Sequence, residues 1–160
     1  MFSFLKKKDE GMVITAPIKG KTVELSQVSD PTFGECMLGK GVAIMPEEGK
    51  VYAPADGEIS MMFATHHAVS MVTTEGVELL IHVGLETVAL KGEHYEAHVQ
   101  SGDQVKKGDL LLSMDLEKIK DAGYDIISPV VVCNTDDYKD VQGILSGQVN
   151  PGEPIIKIEK

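Results

Sequence analysis

The chain has 160 residues, a net charge of −10 and an apolar share of 42%, which reads as one domain with a substantial core and argues against nucleic acid and for a basic protein partner. All 15 basic residues are lysine, so a phosphate-handling site would lack a bidentate guanidinium clamp of its own. No apolar run reaches membrane-spanning length and no secretory h-region is present, while two distant cysteines, Cys36 and Cys133, fit a reducing, cytoplasmic compartment.

Residues 1–10 read as a flexible, lysine-rich tail. Phe2, Phe4 and Leu5 ahead of a lysine triplet allow at most a peripheral membrane contact. From residue 11 to 160 the pattern is that of one all-β domain. Short apolar runs at 12–16, 41–45, 58–63, 67–72, 77–83, 110–114, 129–133 and 154–158 alternate with Gly, Pro, Asp and Asn. Helix signal is limited to Ser29-Asp-Pro-Thr-Phe and to the stretch after Asp115, a natural N-cap. The expected fold is an antiparallel β-sandwich, of the barrel-sandwich hybrid kind, with one or two short helical turns. Cys133 ends an apolar run and reads as a small core residue.

The most informative segment is the predicted hairpin 67–83. With Thr74 and Glu75 at its tip, Val72 pairs with Val77, and His67 falls opposite His82. Opposed residues share a face, with Cβ atoms about 5 Å apart. Alternation puts Glu78, Leu80 and His82 on that face, with Phe63, Thr65, His67, Val69 and Met71 as the neighbouring series. His66 then points away, and His94 and His98 read as solvated surface.

Paired imidazoles serve three chemistries. Zinc usually needs four ligands, and only two are in hand, plus Glu86 at best. General acid–base catalysis needs a substrate pocket that the sequence does not display. Phosphoryl transfer needs a nucleophilic neutral imidazole and donors for the phosphoryl oxygens.

Five stretches carry a resemblance: Ala16-Pro-Ile-Lys-Gly, Leu38-Gly-Lys-Gly-Val-Ala-Ile-Met-Pro, Ala53-Pro-Ala-Asp-Gly-Glu-Ile, Thr65-His-His-Ala-Val-Ser, and Leu79-Leu-Ile-His-Val-Gly-Leu-Glu-Thr-Val-Ala-Leu-Lys-Gly-Glu. Together they resemble the glucose-type enzyme IIA family of the bacterial phosphoenolpyruvate-dependent sugar phosphotransferase system. The resemblance implies that His82 is the phosphorylated nucleophile, His67 the phosphoryl stabiliser and Thr65 a hydrogen-bond support. It implies phosphate arriving from the phosphocarrier protein HPr and leaving to a cysteine of a IIB domain of a sugar permease. Regulated permeases or metabolic kinases are further expected partners. No cofactor is required, although His67 and His82 are possible zinc ligands in a partner complex. Val42, Phe63, Val69, Leu80 and Val83 are expected as an apolar docking collar, with Glu86 facing a partner cation. Where the family has Asp, this chain has Glu86.

Two rival readings are a zinc peptidase-like sandwich, suggested by His82-Val-Gly-Leu-Glu, and a non-catalytic regulatory docking protein. The peptidase lacks its His-x-His pair in this sequence. A biotinyl or lipoyl carrier is weaker still, because no Met-Lys-Met-like attachment turn is present.

Overall fold

A computed structural model describes residues 11–160. The expectations for residues 1–10, a flexible tail with peripheral membrane contact, fall outside the described residues.

The strands are β1 (Met12–Thr15), β2 (Gly20–Glu24), β3 (Lys40–Pro46), β4 (Lys50–Tyr52), β5 (Gly57–Met62), β6 (Ala68–Thr73), β7 (Glu78–His82), β8 (Tyr95–Ala97), β9 (Gln104–Val105), β10 (Leu110–Met114), β11 (Ser128–Val132), β12 (Asp140–Gly143), β13 (Gln148–Val149) and β14 (Pro154–Glu159). Every pairing is antiparallel. One eight-stranded sheet runs β13-β2-β3-β11-β7-β6-β5-β9, and two three-stranded sheets run β1-β14-β12 and β4-β10-β8. The expected antiparallel sandwich is the fold observed. The strands β2, β4, β8, β9, β12 and β13 went unread in the sequence; all but β2 have only two to four residues, too few to display a period.

Side-chain alternation divides the core in two. Val42, Ile44, Val130 and Val132 face inward, with Ile14, Met71, Ile81, Leu112 and Ile156, between the large sheet and the small ones. Their strand neighbours Ala43 and Val131 face the other way, into a second cluster with Leu25, Val28, Phe33, Leu85 and Ile127. Central strands buried on both faces read as continuous apolar runs, which is why β11 is Ser-Pro-Val-Val-Val.

That second cluster is roofed by a 3₁₀ turn, Leu25–Gln27, and the short helix α1 (Pro31–Gly34). Asp30 caps α1 by accepting from the Thr32 N–H at 3.0 Å, and Pro31 sits at the first helical position, where its missing donor costs nothing. The second helix, α2 (Leu116–Asp121), is capped as expected by Asp115, which accepts from the Lys118 N–H at 3.1 Å. Among the described residues no helix is long and apolar enough to cross a membrane.

Cys133 is exposed, a correction to its reading as core. The β11 strand ends at Val132, and the chain turns outward there, with the Cys133 N–H bonded to the Glu78 carbonyl at 2.7 Å.

Ile81, 1% exposed between the sheets, tests the inner core. Ile81→Ala should lower unfolding free energy by about 2–5 kcal/mol in urea titration. Asp115→Ala, removing only a cap, should cost about 1 kcal/mol. Equal losses for the two would contradict this core assignment.

Candidate functional site

The β6–β7 hairpin carries the site, in a register one residue away from the expected one. Gly76, at φ +94°, supplies a third loop residue, and the Thr73 N–H donates to the Val77 carbonyl at 2.9 Å. A three-residue loop with its last residue left-handed is a common hairpin closure. Pairing therefore joins Val72 to Glu78, Val69 to Ile81 and Ala68 to His82. His67 is not opposite His82.

The two histidines still meet, because the chain leaves the strand before His67. The Phe63 N–H bonds the Ala68 carbonyl at 3.2 Å and the His66 N–H bonds the Phe63 carbonyl at 2.8 Å, closing a tight tip between β5 and β6. His66 takes φ +58° at that tip. This bend frees the His67 ring from strand alternation, and it packs edge-on to His82 with ring centroids 4.9 Å apart. Phe63 flanks His67 at 5.5 Å, and Phe33 of α1 flanks His82 at 5.0 Å.

Each imidazole has one nitrogen engaged. His82 Nδ1 lies 2.6 Å from the Gly84 carbonyl. A carbonyl only accepts, so Nδ1 carries the proton, and neutral His82 has its lone pair on Nε2. Gly84 reaches that position with φ +82°, and a Cβ there would lie 2.7 Å from Thr87 Cγ2. His67 Nδ1 is hydrogen-bonded to the Thr65 hydroxyl.

Both rings favour the neutral form. Burial, then the neighbouring His82, pulls His67 down to about 4. Burial also lowers His82, partly opposed by the Gly84 carbonyl and by the Asp30 carboxylate. Asp30, Glu86 and Asp125 line one pocket beside Leu85, giving the site an acidic rim.

Thr65, His67 and His82 thus come together as expected. The apolar collar is corrected in part. Phe63 is half-buried against His67, Leu80 is half-buried on the face that carries His82, and Glu86 is exposed. Val42, Val69 and Val83 are 0–1% exposed and belong to the inner core, so no partner can reach them. The true register turns Val69 inward opposite Ile81, and Val83, next after His82 in the chain, faces away from it in any register. His66 faces the pocket that His98 also lines, together with Phe63 and Asp103. His98 bonds Ser113 at 2.8 Å on the surface.

Asp30, Phe33, Gly84, Thr87 and Tyr95 were missed as site residues. Gly84 was legible in His82-Val-Gly, since glycine two residues after a strand-end polar group marks a turn. Asp30 and Phe33 lie some 50 positions before His82 in the sequence, and nothing local points from one to the other. Among the described residues no group of three or more His, Cys, Asp or Glu is arranged to hold a metal.

The fold and site together define an all-β sandwich that presents a neutral, tautomer-fixed histidine backed by a second histidine, the equipment of a phosphohistidine protein. Residues 12–138 match the family described as phosphoenolpyruvate-dependent sugar phosphotransferase system, EIIA 1, and the chain belongs to that family. It is 39% identical over 153 residues to the glucose-specific EIIA component of Oceanobacillus iheyensis, covering 96% of this chain and 93% of that protein. It is 51% identical over 138 residues to the glucosamine-specific EIICBA component of Bacillus subtilis, covering 85% of this chain. Against that protein and the β-glucoside-specific EIIBCA components of Dickeya chrysanthemi and Bacillus subtilis, the chain spans only 22–24% of the relative's length. The glucose permease IIA of Mycoplasma capricolum matches in structure with a TM-score of 0.85 at 34% identity, over 91% of this chain and 94% of that one. The chain is therefore a phosphotransferase component, a phosphoryl carrier of the sugar phosphotransferase system.

The lowered histidine gives a signed pH effect. Below its ordinary 6.5, His67 takes up a proton in the unfolded chain, but in the native state it does so only near 4. Native stability therefore falls as pH drops from 6.5 towards 4, and above 6.5 this contribution is complete. Urea unfolding of the wild type should show that decline between pH 7 and 5, and His67→Gln should flatten it. Identical pH slopes for the two proteins would refute the buried neutral ring.

Proposed function

We propose that His82 accepts the phosphoryl group on Nε2 from HPr and passes it to the cysteine of a IIB domain, on the cytoplasmic side of a sugar permease. The observation that carries this reading is the His82 Nδ1–Gly84 carbonyl bond of 2.6 Å, which leaves Nε2 as the free nucleophile. The related fusions to B and C components support the IIB acceptor.

The steps balance simply. The lone pair on His82 Nε2 attacks phosphorus, the P–N bond of the donor phosphohistidine breaks, and the Nδ1 proton stays where it is. The phosphorylated ring carries positive charge that the Gly84 carbonyl stabilises. In the second step a IIB thiolate attacks, an S–P bond forms, and His82 recovers its lone pair. Such transfer depends mainly on positioning and on charge placed in advance.

His67 supplies the charge complement. When the Thr65 hydroxyl donates to Nδ1, the proton of neutral His67 resides on Nε2 and can be donated to a phosphoryl oxygen. Phe33 and Phe63 shelter the rings from water, which slows hydrolysis of the intermediate. The acidic rim of Asp30, Glu86 and Asp125 supports recognition of a cationic face on HPr, which suits a chain without arginine. No cofactor enters either step. A zinc ion on His67 and His82 would need further ligands from a partner.

Intact-mass measurement near neutral pH after incubation with phosphoenolpyruvate, enzyme I and HPr tests the reading. The wild type should gain one phosphoryl group, about 80 Da, on a nucleophilic histidine. His82→Gln should gain nothing. His67→Gln should still accept but pass the group to IIB at least roughly tenfold more slowly, the scale of one lost charge-assisted donor. Retention of phosphate by His82→Gln would move the acceptor elsewhere.

A further inference from the structure

The ladder between β6 and β7 ends in an unusual way. The Val83 N–H still donates to the His67 carbonyl at 2.7 Å, as the next rung requires. The Val83 carbonyl does not complete that rung. It accepts instead from the Thr87 hydroxyl at 2.8 Å and the Tyr95 hydroxyl at 2.8 Å. Thr87 is 0% and Tyr95 9% exposed, so neither bond competes with much water.

We infer that Thr87 and Tyr95 are positioning residues for the phosphoryl-accepting histidine, their hydroxyls clamping the Val83 carbonyl so that the next carbonyl, Gly84, is held on His82 Nδ1. The inference rests on the carrier reading above for its effect on rate, but not for its effect on the ring.

The argument follows the peptide planes. The Val83 carbonyl and the Gly84 N–H belong to one rigid plane. Two hydroxyls fix that plane on one side, and the Val83 N–H fixes the plane before it. On the far side the Leu85 N–H donates to the Asp125 carbonyl at 2.9 Å, fixing the plane that contains the Gly84 carbonyl. Gly84, at φ +82°, is a residue with wide rotational freedom between two anchored planes. Without the anchors its carbonyl would be free to swing off His82.

That swing has a chemical consequence. The two neutral imidazole tautomers are close in energy, and an external hydrogen bond decides between them. Release of Nδ1–H lets the proton move to Nε2, which removes the lone pair from the attacking atom. Tyr95 suits the clamp because burial pushes its phenol up to about 12, the neighbouring Thr87 acting weakly the other way. It remains a donor throughout the working pH range. Neither residue touches the transferring group; both act through the Val83–Gly84 backbone. The same backbone ties the two histidines together, since the Val83 N–H is bonded to His67 itself.

The test reads ring-nitrogen chemical shifts of ¹⁵N-histidine-labelled protein alongside the rate of phosphorylation by HPr. Wild type should show His82 in the Nδ1–H form. The Thr87→Val, Tyr95→Phe double variant should gain Nε2–H tautomer and accept phosphate roughly three- to tenfold more slowly, the scale of one net hydrogen bond. Thr87→Ser, which keeps the hydroxyl, should match wild type in both readouts. Tyr52→Phe, in β4, should move neither. A folded double variant with wild-type tautomer and rate would overturn the inference. If the double variant does not fold, Tyr95→Phe alone, which deletes one oxygen, decides by the same two readouts. Should wild type take no phosphate from active HPr, the carrier reading fails, while the nitrogen shifts still decide the clamp.

Discussion

The hydrogen bond from His82 Nδ1 to the Gly84 carbonyl is the contact around which the site is organised. An imidazole in water interconverts its tautomers and takes up protons near neutral pH. Here one nitrogen is committed to a backbone carbonyl that cannot donate, and burial disfavours the charged ring. The result is a neutral base with one defined lone pair. Everything nearby serves that state: the left-handed Gly84 that turns the carbonyl inward, the buried hydroxyls on Val83, and Phe33 across the ring face.

The sheet supplies the rigidity this needs. β7 lies inside an eight-stranded sheet between β11 and β6, with apolar packing behind Ile81 and Leu79. Its last residue, His82, stands where regular pairing gives way to two irregular segments, the 63–68 tip and the 83–87 turn. Regular strand would place His67 and His82 on opposite faces. The irregular backbone brings them together, at a cost in ladder hydrogen bonds that Thr87 and Tyr95 offset. Strand ends of this kind are natural sites for chemistry, since they join a fixed scaffold to backbone free of alternation.

The pairing of acidic surface with arginine-free composition has a related logic. A phosphoryl group bound permanently by arginine would be stabilised in place, which opposes onward transfer. In the carrier reading proposed above, neutral donors and an acidic rim would hold the group less tightly and leave the cation to the partner. A family fold of this design, appearing both alone and fused to B and C components among its relatives, suits transient contacts better than a permanent complex.

Most long strands, both short helical starts and the identity of His67, His82 and Thr65 as neighbours were legible in the sequence. Each depends on local information: alternation over five or more residues, Asp30 and Asp115 ahead of short helical turns, and a long motif around His82. The register of the hairpin was not. One residue, Gly76, adds a third position to its loop and slips every pair by one, which puts Val69 opposite Ile81 and so into the core. The bend at His66 then restores the histidine contact that the slip would have removed. Asp30, Phe33 and Tyr95 reach the site across sheet and loop packing that no local pattern encodes. The sequence by itself determined the element types and the candidate histidines, because these follow from side-chain chemistry and short-range periodicity. Only the tertiary structure decided which faces meet, which nitrogen is free and what holds it so, because those depend on backbone hydrogen bonds between segments far apart in the chain.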